Sequence, residues 1–305
     1  MFKRLLVPLD GSRLAEAVLP ATFYLAEHFC ATVVLFHVIE QDARAKINGE
    51  RHLADAAESQ AYLDAIATRF TPRCASIEKH VHKLKHADVA HSIIEHAEEL
   101  ATDLIVLCAH GQGGLRDVLV GNIAQQVIAR GTVPVFFVRP QDAEREPSFE
   151  CRKILMPLDG TPHHEPALPV AAEIARACDA VLHLVTVVPT TRTLSAERAG
   201  AGMLLPATMT AVLDLAQRGA VEYLQNVMQK LRGEGLQATA EVARGDVTAA
   251  VLDAAQRAHA DLIVLATHGR TTMNAFWSGS VTPKVLARAD AAVLLVRVMG
   301  EEAAR

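Results

Sequence analysis

The chain alternates short apolar, β-branched runs with longer segments whose apolar residues recur every three or four positions. Runs at Lys3–Leu9, Thr32–Ile39, Asp103–Ala109 and Pro134–Arg139 read as buried strands, and Ser76–Leu84, which alternates more weakly, as another. Between them Leu14, Ala17, Val18, Ala21, Leu25 and Phe29 share one helical face, on a helix running to about Cys30. Val89, Ile93, Ala97 and Leu100 share another, over Asp88–Leu100. A polar, loop-like interval follows Ile39, then a helix over Ala54–Phe70. Asp10-Gly11-Ser12 closes the first strand as a turn with Ser12 as a helix N-cap. Gly121-Asn122 opens a further helix, where Asn122 and Gln125 fit a capping box.

The pattern then restarts. Arg152–Thr161 (RKILMPLDGT) repeats Lys3–Ser12 (KRLLVPLDGS) at an offset of 149 residues. Asp261–Leu265 repeats Asp103–Leu107 at an offset of 158, so the second copy carries nine extra residues. Pro189–Thr210, rich in Thr, Ala, Gly and Pro, is the expected place for them, ahead of a helix over Ala211–Leu231. Pro140–Glu150 is polar and contains two prolines, which reads as a linker. Domains are therefore expected over 1–140 and 151–300, joined by linker residues 141–150. Strands alternating with helices imply parallel sheets with right-handed crossovers. The expected fold class is α/β, with two doubly wound, five-stranded parallel-sheet domains in tandem. In such sheets ligands sit beyond the carboxyl ends of the strands, at the switch point. Asp10, Asp159 and two His-Gly loops all fall there.

Those loops belong to one device used twice. Leu262–Val285 (LIVLATHGRTTMNAFWSGSVTPKV) is an apolar strand, a loop containing His268-Gly269, then Gly279-Ser280 at a helix entry. Leu104–Val127 (LIVLCAHGQGGLRDVLVGNIAQQV) has the same layout. Glycines at 269 and 279 would let backbone N–H groups approach phosphate oxygens. Ser280 would add a hydroxyl at a helix N-terminus, where the dipole favours anions, and Arg270 a charge-assisted contact.

Composition narrows the field. The chain has 305 residues, half of them hydrophobic and 21% charged, enough for about two domains with ample cores. A formal net charge of −5, with no Lys/Arg run longer than two, provides no footprint for nucleic acid or an anionic membrane. No apolar run approaches the roughly 18 residues of a membrane span. Five cysteines, an odd count without paired spacing, argue against a disulfide framework and for a reducing cytoplasm. There is no Gly-Lys-Ser/Thr of a Walker loop, and Gly111-Gln112-Gly113-Gly114 is not a dinucleotide fingerprint. The histidines at 80, 82, 86, 91 and 96 read as surface residues rather than a metal site.

On these motifs the chain resembles the universal stress protein family in its tandem two-domain form. The family opens on Pro-x-Asp-Gly-Ser/Thr, here Pro8-Leu9-Asp10-Gly11-Ser12 and Pro157-Leu158-Asp159-Gly160-Thr161. Its nucleotide-binding members carry Gly-x-x-Gly, nine residues, then Gly-Ser/Thr. The second copy matches at Gly269, Gly279 and Ser280, with Ala266 in place of the first glycine. The first copy matches only at Gly111 and Gly121, with Cys108 and Asn122 at the other positions. The resemblance implies a Rossmann-like, adenine nucleotide alpha hydrolase-like fold. It also implies adenine-facing positions at Asp159 and Val187, or at Asp10 and Val38 in the first copy. A further family glycine falls on Gly245, whose counterpart is Ala87. The nucleotide-site candidates are thus Asp159, Val187, Gly245, Ala266, His268, Gly269, Arg270, Gly279, Ser280 and Val281. Weaker ones in the first domain are Asp10, Val38, Gly111, Gly121 and Asn122.

The expected function is a cytoplasmic stress-response regulator that binds ATP, with or without Mg, in its second domain, with little or no turnover. A nucleotide-free scaffold of the same fold and a slow ATP hydrolase are the alternatives. No catalytic residue and no metal ligand is assigned: Asp10 and Asp159 read as orienting or turn-capping groups rather than general bases. The partners expected are adenine nucleotide and the other domain of the same chain, as an intramolecular pseudo-dimer in which Val135–Arg139 and Val293–Val298 pair, or a homodimer. Neither nucleic acid nor membrane is expected.

Overall fold

The computed structural model describes residues 1–40, 46–47, 50–70, 76–84, 88–108, 121–140, 148–160, 165–194, 204–268 and 281–298. By contact they fall into two units, one of 1–150 with Ala292–Arg297, the other of 151–268 with 281–291 and Val298.

In the first unit the apolar runs form β1 (Arg4–Pro8), β2 (Thr32–Ile39), β5 (Ser76–Lys83), β6 (Leu104–Cys108) and β7 (Val135–Val138). A further strand, β12 (Ala292–Val298), groups with this unit. The order is β12-β7-β6-β1-β2-β5. The pairs β7-β6, β6-β1, β1-β2 and β2-β5 are parallel, as the crossover pattern requires. β12 lies antiparallel on β7, with Val293 opposite Phe137 and Leu295 opposite Val135. Leu5, Leu6 and Val7 on β1, the central strand of the β6-β1-β2 trio, are fully buried.

The helices follow their caps. Ser12 Oγ accepts from Ala15 N at 3.2 Å and opens α1 (Arg13–Glu16). The single helix expected to run to Cys30 is broken, and α2 occupies Leu19–Phe29. Ala17 N and Val18 N bond three residues back, to Leu14 O and Ala15 O, so the first helix tightens and stops. Pro20, without an N–H, then sits in the first turn of the next helix. Asp55 caps α3 (Ala56–Arg69) and Asp88 caps α4 (Val89–Glu99). α5 spans Asn122–Arg130, but the expected capping box is absent. Gly121 is the N-cap, and Asn122 Oδ1 instead accepts from Gln126 Nε2 one turn on, at 3.3 Å. The interval after Ile39 is not all loop as its polar sequence predicts; it contains an antiparallel ribbon of β3 (Lys46–Ile47) and β4 (Glu50–Arg51).

The second unit has β8 (Lys153–Pro157), β9 (Val181–Val188), β10 (Ala238–Arg244) and β11 (Leu262–His268), in the order β10-β9-β8-β11 and parallel throughout. Its helices are α6 (Leu168–Cys178), α7 (Pro206–Gly233), α8 (Val247–Ala258) and α9 (Val281–Arg288). α7 begins at Pro206, inside the stretch read as an insertion, because proline is preorganised for the first helical position. None of the described helices is long and apolar enough to cross a membrane.

Cys108, Cys151 and Cys178 are free thiols. Cys30, at the left-handed C-cap of α2, is disulfide-bonded.

Candidate functional site

Each sheet ends in a Pro-x-Asp-Gly turn, and the two turns are built over differently. In the first unit Asp10 Oδ1 accepts from both the backbone N–H and the hydroxyl of Ser12, at 2.9 and 2.6 Å. This is an Asx-type turn, which spends that oxygen on local structure. Gly11 has φ +87°, and a Cβ there would come within 2.9 Å of the Leu53 side chain. Leu53 is held in place from beneath. His37, buried on β2, directs Nδ1 to Leu9 O at 2.7 Å and Nε2 to Leu53 O at 3.3 Å. Glu50 reaches the same turn, its carboxylate accepting from Arg13 N at 3.3 Å. The segment after the β3–β4 ribbon thus lies over the end of β1; Val38, next along β2, is itself buried.

At the switch point Cys108 ends β6 near Asp10. Burial, and then the Asp10 charge, push its thiol up to about 12, so it stays protonated and is a poor nucleophile. Tyr62 is pushed up in the same way, first by burial and then by the charges of Glu16 and Asp10. Gly121 and the exposed Asn122 open α5; Gly111 lies outside the described residues.

The turn of the second unit differs. Gly160 has φ +77°, and among the described residues a Cβ there would meet Tyr223 Cδ1 of α7, at an ordinary 3.9 Å. The Tyr223 hydroxyl donates to Glu165 Oε1 at 3.3 Å. Burial, then the Glu165 and Asp159 carboxylates, push the phenol up to about 12. Asp159 and Glu165 therefore sit close enough to Tyr223 to be felt by it. Val187, half-buried, stands opposite Ala243 on β10. Gly245 follows β10 with φ +131°, a conformation L side chains rarely adopt, and among the described residues no heavy atom lies within 4 Å of its missing Cβ. Its N–H donates to Val188 O at 3.1 Å and its carbonyl accepts from Thr193 Oγ1 at 3.2 Å.

Ala266 is half-buried on β11, His268 ends that strand, and Val281 opens α9. Gly269, Arg270, Gly279 and Ser280 lie outside the described residues. Asp159 and Val187 end neighbouring strands, β8 and β9, and Gly245 ends β10 beyond them; Ala266 and His268 lie on β11, on the other side of β8. One rim therefore carries every described candidate of this copy except Val281, which begins the helix after the loop. Two positive-φ glycines, Gly160 and Gly245, stand on that rim.

Sequence reasoning missed Leu53, His37, Tyr223, Glu165 and Thr193. A signal existed for the first two: Asn48-Gly49 between β-compatible residues is a hairpin signature, and a histidine inside an apolar strand needs buried partners. Nothing in the local sequence marks the others.

Comparison with known proteins agrees with the duplication. The family model described as the universal stress protein family matches residues 1–139 and again 150–297. The chain is 26% identical over 148 residues to universal stress protein YxiE of Bacillus subtilis, covering 46% of this chain and all of that one. It is 27% identical over 147 residues to universal stress protein MJ0531 of Methanocaldococcus jannaschii, covering 47% of this chain and 86% of the other. Among solved structures, a universal stress protein from Archaeoglobus fulgidus has the same fold, with a TM-score of 0.69 over 96% of this chain and 98% of that one at 16% identity. A putative universal stress protein from Pseudomonas aeruginosa does so with a TM-score of 0.68 over 97% and 94%, also at 16% identity. With both halves matched by one model and two strand-end turns of one design, the chain belongs to the universal stress protein family and carries its module twice.

Proposed function

We propose that this stress-response protein binds ATP, alone or with Mg, through its second module, with little or no turnover, and that its first module binds none. The observation that carries this reading is the contrast at the strand-end glycines. A Cβ at Gly11 would come within 2.9 Å of Leu53, whereas among the described residues one at Gly160 would meet Tyr223 alone, at 3.9 Å, and one at Gly245 would meet none. A base lying between the ends of β1 and β2 would have to displace Leu53 and the backbone tie from His37. A base at the corresponding ends of β8 and β9 would meet Asp159, Val187 and Tyr223. Backbone N–H groups around Gly269 and Gly279, with Ser280 and Arg270, would then hold the phosphates. Burial holds Tyr223 and Cys108 protonated at neutral pH, so neither is an activated nucleophile, which supports little turnover.

The test is direct. Purified protein is denatured and its supernatant analysed for nucleotide, and binding is measured by calorimetry at millimolar ATP. Gly269→Val and Gly279→Val are expected to remove binding, by at least about tenfold in affinity, while Gly121→Val leaves it nearly unchanged. Equal loss from all three would end the asymmetry between modules. No release and no heat would favour a nucleotide-free scaffold. Steady phosphate production lost in Gly279→Val would favour a slow hydrolase.

A further inference from the structure

The second unit brings two free thiols together at the end of the sheet opposite its strand-end rim. Cys151 precedes β8 and has no exposed surface; Cys178 is the last residue of α6 and is half-buried. The strand register sets them side by side. Lys153 pairs with Val181, and Val181 N donates to Arg152 O at 2.8 Å, so Cys151 falls level with Asp179, next to Cys178. The corresponding residues of the first copy, 149 positions earlier, are Phe2 and Phe29. Those rings pack edge to face with centroids 5.3 Å apart, so the fold brings these two positions into contact in both copies. Here the contact is thiol to thiol. The hydrogen bond to Cys178, then burial, then the Asp261 charge hold Cys151 in its protonated form.

We propose that Cys151 and Cys178 form a peroxide-responsive pair, oxidised to a disulfide that fastens the end of α6 to the start of β8. Cys178, the more accessible of the two, reacts first. Its thiol gives up a proton and the thiolate attacks one oxygen of hydrogen peroxide; the O–O bond breaks, Cys178 becomes a sulfenic acid, and the other oxygen leaves as hydroxide, which takes up that proton as water. The Cys151 sulfur then attacks the sulfenic sulfur; the S–S bond forms, the S–O bond breaks, and the hydroxyl leaves with the Cys151 proton as a second water. Two thiols are oxidised and one peroxide is reduced to two waters. Such a bond is transient in a reducing compartment, where exchange with cellular thiols restores the pair.

The experiment treats the full folded chain with a few equivalents of hydrogen peroxide, then maps peptides without reduction. The expected product is a 151–178 linked peptide, two hydrogens lighter than the sum of its parts and cleaved by dithiothreitol. It should form about tenfold faster than any modification of the buried, protonated Cys108. The oxidised protein should melt several degrees higher, since the link closes the chain from Cys151 to Cys178 into a loop and so restricts the unfolded state. In Cys151→Ser the reaction stops at Cys178 sulfenic acid, captured by dimedone several-fold more than in the unsubstituted chain. Linkage only after denaturation would overturn the proposal. So would a sulfinic acid at Cys178 beside an intact Cys151 thiol, or linkage to a second chain. The unsubstituted protein decides the matter even where a serine variant folds poorly.

Discussion

Gly11 and Gly160 hold the same place in the two copies, and both have positive φ, +87° and +77°. Alanine at Gly160 should cost about 1–2 kcal/mol, the backbone term for a left-handed L-residue. Alanine at Gly11 carries that term and also strikes Leu53, adding about 1 kcal/mol of overpacking. Urea unfolding of both variants measures the difference, and Leu53→Ala placed on Gly11→Ala should recover the added part. Equal costs at the two glycines would mean that Leu53 yields freely. Asp88 offers a pH test at the same scale. Its carboxylate accepts from His91 N at 2.9 Å and pairs with Arg130 Nη1 at 2.9 Å. Those partners, the backbone N–H foremost, hold it below the usual carboxylate range. A lowered carboxyl contributes stability above its unfolded value, and that contribution is lost as pH falls through the folded one. Asp88→Asn keeps the cap but not the charge. It should lower Tm at pH 7 and shrink the fall in Tm below about pH 4, where the unmodified carboxyl protonates. An unchanged acid limb would assign the acid sensitivity elsewhere, for example to Glu78, whose carboxyl is lowered by Arg4.

Among elements, what could be read from sequence was what short-range chemistry decides. β1, β2, β6, β8 and β11 are apolar runs closed by turn residues, and their positions follow from that alone. The caps at Ser12 and the helix after Asp88 follow from side chains that reach three residues. Errors came where two local preferences competed. Leu14–Phe29 has helical periodicity throughout, yet Pro20 restarts the helix. At Asn122 a capping side chain was available, but the chain enters the helix one residue earlier and Asn122 turns outward to Gln126. The candidate site divides in the same way. The glycines and aspartates at strand ends are visible because no other residues make those turns easily. The covering of the first mouth is not, because Leu53 reaches Gly11 across two helices, a strand and a ribbon of intervening chain. No periodicity records a contact at that separation; it is a tertiary fact that follows only once β2 has placed His37 beneath it.

For the molecule as a whole, the first unit is completed by residues from the far end of the sequence. Arg297 on β12 is half-buried and donates to the carbonyls of Ile128, at 3.3 Å, and Gly131, at the C-terminus of α5. Burial lowers its pKa, but the guanidinium stays charged at any working pH, and a cation suits a helix C-terminus. Arg297→Leu should therefore cost about 1–3 kcal/mol in urea unfolding, the penalty for leaving such carbonyls without a donor. No loss would mean that water replaces the guanidinium there. The strand that carries Arg297 has a wider consequence. β7 gives its outer row of amides and carbonyls to β12, 154 to 160 residues further along between Val138 and Ala292 or Val298. A fragment cut at the internal duplication would bare that row, and an unsatisfied edge recruits whatever extended chain is nearest. The genetic seam between the copies is therefore not a seam along which the folded protein can be divided, and a truncated first half is expected to aggregate rather than stand alone.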